Sequence, residues 1–152
     1  MMVRGFHISM AVILLAICFQ AKSSDEPLEA LKTRAETARP QDQPHLFATI
    51  ARREVNEADH FYTEGDVTNA TKTVDELVRY AARAAEAAQK TGKQLKNTEI
   101  VLRETARRLN DVSKTLNFDD RIYVEAAVKQ VEKSRQQILD QMFGLPSKET
   151  KK

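Results

Sequence analysis

The sequence predicts an all-α protein in which antiparallel helical hairpins pack along one long central helix, straight or kinked, over about residues 67–116. The first observation is an unbroken heptad seam of apolar or small residues in that range. The second is a composition that suits long helices, with no Trp, four Gly and four Pro. The third is that apolar stripes of matching length lie on both sides of the seam. The seam residues are Val67, Ala70, Val74, Leu77, Ala81, Ala84, Ala88, Thr91, Leu95, Thr98, Leu102, Thr105, Leu109, Val112 and Leu116.

Gly92 is the one weak point in this seam. Two features favour a continuous helix: the seam keeps its register across Gly92, and Lys93 stands where a Schellman cap places a hydrophobic residue. A continuous helix of about 50 residues would be roughly 75 Å long. The alternative is a compact four-helix bundle that folds back at Gly92 and uses the same stripes, and the sequence does not separate the two.

Shorter helices are predicted on both sides of the seam. A first helix and a Pro-rich linker occupy residues 24–44, and a second helix covers about 44–64. A last helix covers about 120–143 and is followed by a flexible polar tail at 144–152. Residues 45–143 therefore form the helical domain. The predicted capping or terminating residues are Ser24, Gly65, Asp66 and Gly144, and the segment Asn-Phe-Asp-Asp at 117–120 is interpreted as a helix break that caps the last helix.

One segment, at about residues 51–82, resembles a single tetratricopeptide repeat hairpin. The residues that carry the resemblance are Ala58, Phe61, Gly65, Asp66, Ala70, Val74 and Leu77. The segment departs from the repeat at Glu54 and Glu57, where the repeat has large apolar residues, and at Ala82, where it has Pro. No second copy follows, and such arrays need about three repeats. The resemblance therefore implies a hairpin geometry and no peptide-binding groove.

The first 23 residues have the pattern of a secretory signal peptide. Arg4 precedes an apolar run of about 12 residues, which is too short to span a bilayer, and small residues at Ala21 and Ser23 mark a cleavage site. The only cysteine, Cys18, lies inside this segment, and the bulky Ile17 before it argues against a lipoprotein box. We therefore expect an exported protein, periplasmic or secreted, whose mature chain has no thiol and no membrane span.

Net charge bears on the choice of partners. The chain has 24 basic and 22 acidic residues, and removal of Arg4 and Lys22 with the signal leaves 22 of each. Binding to DNA or to anionic lipid depends on excess positive charge. We therefore expect no nucleic-acid partner.

The sequence offers few residues for catalysis or metal binding. His45 and His60 would lie roughly 22 Å apart on one helix and cannot share a metal ion. No serine stands in a Gly-flanked turn, and no Gly-rich phosphate loop is present. We expect neither enzymatic activity nor a bound cofactor or metal.

A mildly basic face is predicted on the second half of the seam. It comprises Arg103, Arg107 and Arg108, with Lys93 and Lys96 upstream. Acidic residues lie among them and give pairs of acid and base four residues apart, so a solvated, salt-bridged face is favoured over an anion site. The predicted pairs are Glu99–Arg103, Glu104–Arg108 and, on the last helix, Glu125–Lys129.

The favoured function is therefore that of a non-catalytic exported protein that presents helix surfaces to a protein partner or to a second copy of itself, or that has a structural role in the cell envelope. The alternative is a carrier that binds an apolar or cationic small molecule between helices near Tyr62 and Tyr80. The seam itself contains too many Ala and Thr residues for a strong intermolecular zipper. The residues chosen for packing or interaction are Phe61, Tyr62, Leu77, Tyr80, Leu102, Leu109 and Ile138.

Overall fold

The computed structural model describes residues 26–145, in which five α-helices and no strand are present. The all-α prediction is thus confirmed. The predicted signal peptide with Cys18, the Ser24 cap and most of the predicted tail lie outside the described residues. The helices are α1 (Leu28–Thr37), α2 (Gln43–Thr63), α3 (Val67–Thr91), α4 (Leu95–Ser113) and α5 (Phe118–Met142).

The four longer helices form a bundle built from two hairpins, α2–α3 and α4–α5. Each hairpin is closed by a short turn, and these are the most extensive helix contacts in the fold. The hairpins pack side by side through α2 against α4 and α3 against α5, whereas the backbones of α2 and α5 do not approach each other. Around the bundle the order is therefore α2, α3, α5, α4, and the consecutive helices α3 and α4 are diagonal to each other. Helix α1 packs on α2.

The prediction of a continuous helix through Gly92 was wrong, and the four-helix alternative describes the fold. Helix α3 ends at Thr91, where Gly92 adopts a left-handed φ of 64° and its N–H donates to the carbonyl of Ala88 at 2.8 Å. Gln94 adopts a left-handed φ of 56° before α4 begins. The seam keeps register across this turn because both helices direct the same stripe at one shared core. Register therefore gave no information about continuity.

The other helix ends follow local sequence signals. Asp66 caps α3 by accepting from the N–H of Asn69 at 3.1 Å, and Asn117 caps α5 by accepting from the N–H of Asp120 at 3.0 Å. Gly65 closes α2 with a φ of 77°. Helix α5 begins at Phe118, two residues before the predicted start, because Asn117 is the capping residue itself.

The core lies between the four long helices and takes most of the predicted seam. Small side chains dominate in α3, where Ala81, Ala84 and Ala88 are completely buried. Thr98 and Thr105 occupy corresponding places in α4 and are also completely buried. Val67, the first residue of the predicted seam, is instead 42% exposed.

Two of the predicted ion pairs within helices are replaced by pairs between helices. Glu99 binds Arg135 of α5, with Oε1 2.7 Å from Nε, instead of Arg103. Glu104 lies 3.5 Å from Arg52 of α2 instead of binding Arg108. The pairs between helices form because α4 is flanked by both α2 and α5. Spacing along one helix does not reveal those neighbours.

Within residues 26–145, none of the five helices has both the length and the apolar character that a bilayer crossing requires.

Candidate functional site

The structure places most of the predicted packing residues in the interior. Leu77, Leu102, Leu109 and Ile138 are completely buried, and Tyr80 is 6% exposed. These side chains hold the bundle together and offer no surface to a partner. Of the predicted set, Phe61 and Tyr62 are half-buried near the end of α2.

The largest exposed apolar side chains on one helix face are at the start of α5. Phe118 is 71% exposed and Ile122 is 52% exposed. They lie one turn apart, so both point to the same side of α5, away from Val124 in the core. The polar residues Arg121 and Glu125 are exposed beside them. We call Phe118 and Ile122 the α5 apolar pair.

The α5 apolar pair was missed by the sequence analysis. Phe118 stands in the Asn-Phe-Asp-Asp segment, which was interpreted as a helix break and cap. The available signal was the spacing of Phe118 and Ile122, which are four residues apart but out of phase with the core stripe at Val124 and Val131. Apolar residues at helical spacing on the wrong face indicate surface contact.

Other exposed apolar residues lie at the opposite end of α5. Met142 is 38% exposed, Phe143 is 70% exposed and Leu145 is 54% exposed. They coincide with the end of the helix, where Gly144 adopts a φ of 64°. They therefore do not share one helix face as the α5 apolar pair does.

A cluster of charged side chains joins α1 to α2 and α3. The ammonium of Lys32 on α1 lies 2.9 Å from Glu76 and 3.0 Å from Glu29. It is also 2.8 Å from Oε1 of Glu54, which has the distance of an ion pair without the angles of a hydrogen bond. Glu54 is only 3% exposed, so Lys32 neutralises a carboxylate that is shut away from water. Glu54 of α2 is therefore a structural residue that helps to hold α1 against the bundle.

The environment of this cluster shifts the pKa values of its members in opposite directions. Burial raises the pKa of Glu54, although the Lys32 ammonium opposes the shift. The hydrogen bond from Lys32 lowers the pKa of Glu76. Burial alone would lower the pKa of Lys32, but its contacts with the three glutamates outweigh that effect and raise it.

The faces of the aromatic residues in this region are occupied by cations from the chain itself. The rings of Phe47 and Tyr80 have centroids 6.1 Å apart. The Arg83 guanidinium lies 4.1 Å from the Phe47 centroid and 5.5 Å from the Tyr80 centroid. Lys32 is 6.0 Å from Tyr80. A cationic ligand at Tyr80 would therefore have to compete with resident charges.

Tyr62 and Tyr80 lie in different surroundings. Tyr80 lines a surface groove between α1, α2 and α3. Tyr62 lies toward the start of α5, where burial raises its pKa and the charges of Asp75 and Asp120 add to the shift. There Tyr123 donates a hydrogen bond to Asp75, and burial together with this bond raises the pKa of Tyr123 to about 12. The structure thus does not bring the two tyrosines of the carrier hypothesis together.

The histidines have ordinary structural surroundings. His60 Nε2 lies 3.4 Å from Glu64 one turn away, and both side chains are exposed. Burial lowers the pKa of His45, with a further contribution from Arg52. Over residues 26–145, no three His, Cys, Asp or Glu side chains are arranged as ligands of a metal ion.

Comparisons with protein-family models, with curated proteins and with solved structures give no match to this chain.

Proposed function

We propose that this chain is a non-catalytic, exported helical protein that acts by binding another protein through the α5 apolar pair. The observation that carries the proposal is the exposure of Phe118 and Ile122 on one face of a helix whose other face is fully used in the core. Single exposed apolar residues are common on soluble proteins. Two large ones on one face, 71% and 52% exposed, are typical of a contact surface.

The surroundings of the pair suit a protein partner. Exposed Arg121 and Glu125 lie beside it, and an apolar centre with a polar rim is the usual anatomy of a protein interface. Complete burial of such a side chain contributes about 1.5–3 kcal/mol, and covering the exposed part of Phe118 and Ile122 would contribute a share of that. A reversible contact therefore also depends on the neighbouring polar contacts.

Export is supported by the N-terminal pattern described above and by the position of Cys18, the only cysteine, within it. The test is the mass of the protein recovered from the cells that make it and from their medium. A chain that begins near Ser24 outside the cytoplasm is the expected result. An intact Met1 in the exported fraction would contradict cleavage, and exclusive recovery from the cytoplasm would contradict export.

Binding through the α5 apolar pair is tested by a photo-crosslinking residue at Ala126, which is exposed one turn beyond Ile122. The expected result is one dominant adduct in the native cells, of a second copy or of another protein. Phe118→Ser/Ile122→Ser should reduce the adduct at least about tenfold. Lys133→Ser/Gln137→Ser is the matched control, because it changes two exposed residues at the same spacing on the same helix.

Sedimentation velocity of the purified protein separates the two kinds of partner. Self-association that depends on concentration and is lost in Phe118→Ser/Ile122→Ser identifies a second copy. A monomer with a specific adduct identifies a different protein. A monomer with no adduct, or an adduct that both double variants reduce equally, would overturn the proposal.

A further inference from the structure

A groove of about 810 Å³ lies between α1, α2 and α4, on a different side of the bundle from the α5 apolar pair. Its walls bring together arginines that are far apart in the sequence. They come from three helices and are Arg34, Arg52, Arg53, Arg107 and Arg108. The basic face predicted from the sequence contained only residues around and on α4, with Arg103, Arg107 and Arg108 as its arginines, which is why a solvated face was favoured there.

Four carboxylates also line the groove, but most of them are already paired. Glu26 accepts a hydrogen bond from Arg34 at 2.8 Å. Glu104 lies 3.5 Å from Arg52 in a looser contact. These two pairs use one arginine each and leave three arginines of the groove to be accounted for.

The third carboxylate, Asp111, is engaged with a residue outside the groove. It accepts a hydrogen bond from Lys114 at 2.8 Å. This bond lowers the pKa of Asp111, and the charge of Arg107 contributes to the shift. Glu57 is the fourth carboxylate, and within residues 26–145 it makes no ion pair closer than 4 Å.

Three guanidinium groups remain without a carboxylate partner among the described residues. Arg53 is half-buried and donates to the backbone carbonyl of Glu26 at 2.6 Å. Arg107 and Arg108 are exposed on α4 and make no ion pair in the part of the chain that the structure describes. Glu57 is the only carboxylate of the groove without a partner among the described residues, and it faces three such arginines. The groove therefore has a net positive charge.

We propose that this groove binds a small ligand that carries two oxyanion groups, either phosphates or carboxylates. The planar guanidinium presents paired N–H donors that match both kinds of oxyanion. The volume falls within the range usual for small-molecule sites. Thr49 and Asn56 line the same groove and supply neutral hydrogen-bonding groups. The site is independent of the proposed protein interface on α5.

The two ligand chemistries are separated by titration with inorganic pyrophosphate and with glutarate, followed by isothermal calorimetry in about 0.15 M NaCl. At least one probe is expected to bind with one site per chain and a dissociation constant below about 1 mM. Arg107→Gln/Arg108→Gln should weaken that binding by at least about tenfold, because it removes both arginines that α4 contributes to the groove. Lys96→Gln/Arg103→Gln is the control, since it makes the same charge change on exposed residues of α4 outside the groove.

Each outcome decides the proposal. Binding of pyrophosphate alone supports a phosphate ligand, binding of glutarate alone supports a dicarboxylate, and binding of both supports recognition of the shared oxyanion. No saturable binding of either probe overturns the proposal, and so does an equal loss in the two double variants. Asn56→Asp gives a second reading if Arg107→Gln/Arg108→Gln does not fold. It keeps every arginine, adds a negative charge inside the groove and should also weaken binding.

Discussion

The two hairpins of the bundle bury different kinds of side chain at the same heptad spacing. The α2–α3 hairpin buries eight alanines, whereas α4–α5 buries two. The α4–α5 hairpin instead buries four serine and threonine side chains, and α2–α3 buries none. Alanine lets two helices approach closely without polar groups to satisfy, while each buried hydroxyl needs a hydrogen-bond partner. Spacing thus determines which face is buried, and residue type determines how that face is stabilised.

Each hairpin also contains one buried glutamate with a basic partner from another helix. In the first hairpin Glu54 is 3% exposed and is neutralised by Lys32 of α1. In the second Glu99 is 7% exposed and bonds to Arg135 of α5 at 2.7 Å. The two hairpins therefore differ in whether alanine or serine and threonine fills the core, and they resemble each other in neutralising one buried glutamate with a base from another helix.

The largest effects are expected from Leu77→Ala in α3 and Leu109→Ala in α4, which are both completely buried. Each should lower the free energy of unfolding by about 3 kcal/mol, through lost burial and the remaining cavity. Urea unfolding followed by circular dichroism should show one transition in both variants. A second transition in Leu109→Ala alone would show that the α2–α3 hairpin is stable without its neighbour and that the two are separate units.

The next largest loss of stability is expected from replacing the basic partners of the two buried glutamates, Glu54 and Glu99. Lys32→Met and Arg135→Met should each cost about 2 kcal/mol at neutral pH, because a glutamate is left buried and unpaired. Both basic side chains are partly exposed, so the cost stays below that of a fully buried pair. Conservative replacement by another base, Lys32→Arg, serves as the control and should recover most of the loss.

The cost of Lys32→Met should also depend on pH. Without the ammonium, burial and the neighbouring Glu76 carboxylate act on Glu54 unopposed, and its folded pKa lies further above the unfolded value. A raised folded pKa favours the folded state at low pH and penalises it as pH rises, so the loss should shrink between about pH 7 and about pH 4. In the wild type, the lowered pKa of Glu76 acts in the same direction, because its stabilising ion pair is lost in acid. Equal losses at the two pH values would contradict an unpaired Glu54.

A smaller effect, in this case a gain in stability, is expected from a substitution in the α4–α5 hairpin. Thr98 is completely buried, and its hydroxyl has no hydrogen-bond partner among residues 26–145. Thr98→Val should raise the free energy of unfolding by about 1 kcal/mol, since it removes an unsatisfied polar group at nearly constant volume. Thr105→Val is the control, because the Thr105 hydroxyl donates to the carbonyl of Val101 at 2.8 Å. If both variants respond alike in thermal unfolding, the hydroxyl of Thr98 is satisfied.

The turn between the hairpins should give the smallest effects. Gly92→Ala should destabilise the fold by about 1 kcal/mol through its left-handed φ alone, since an added Cβ would meet no atom within 4 Å. Gln94→Gly should stabilise it by about 0.5 kcal/mol, because Gln94 has the same conformation with a side chain. Differential scanning calorimetry can resolve both shifts. If Gly92→Ala instead stabilised the protein, a continuous helix through residue 92 would be close in free energy to the fold with a turn there.

Much of the fold was predictable from local signals. Asp66, Asn117 and Gly65 mark helix ends because capping depends on neighbouring backbone groups only. The turn at Gly92 was not predictable, because a helix that continues and a helix that folds back bury the same stripe. The choice depends on whether α5 can pack against α3 as well as α4, and that is a tertiary property.

The surface features were less predictable for a related reason. The groove unites Arg53 with Arg107 and Arg108 only because α2 and α4 lie side by side. Likewise, the partner of Glu54 is Lys32 of α1, and the spacing of residues along α2 does not reveal that contact. The α5 apolar pair did carry a signal in its spacing, and it was hidden by the interpretation of Phe118 as part of a helix break. Charged partners between helices cannot be inferred before the helix order is known.

The diagonal placement of α3 and α4 has a consequence for the folding kinetics. Most contacts of the bundle lie within hairpins whose helices are adjacent in sequence, so each hairpin closes a short loop and should form quickly. The connecting turn joins diagonal helices, so it constrains the relative orientation of the two hairpins only weakly. The α2–α4 and α3–α5 contacts must therefore form at the same time. Docking of two formed hairpins is then the slow step. In stopped-flow refolding, the folding rate should fall in Arg52→Ala and in Tyr123→Phe, because both residues lie where the hairpins dock. The rate should change little in Ala58→Gly, because Ala58 lies inside the α2–α3 hairpin.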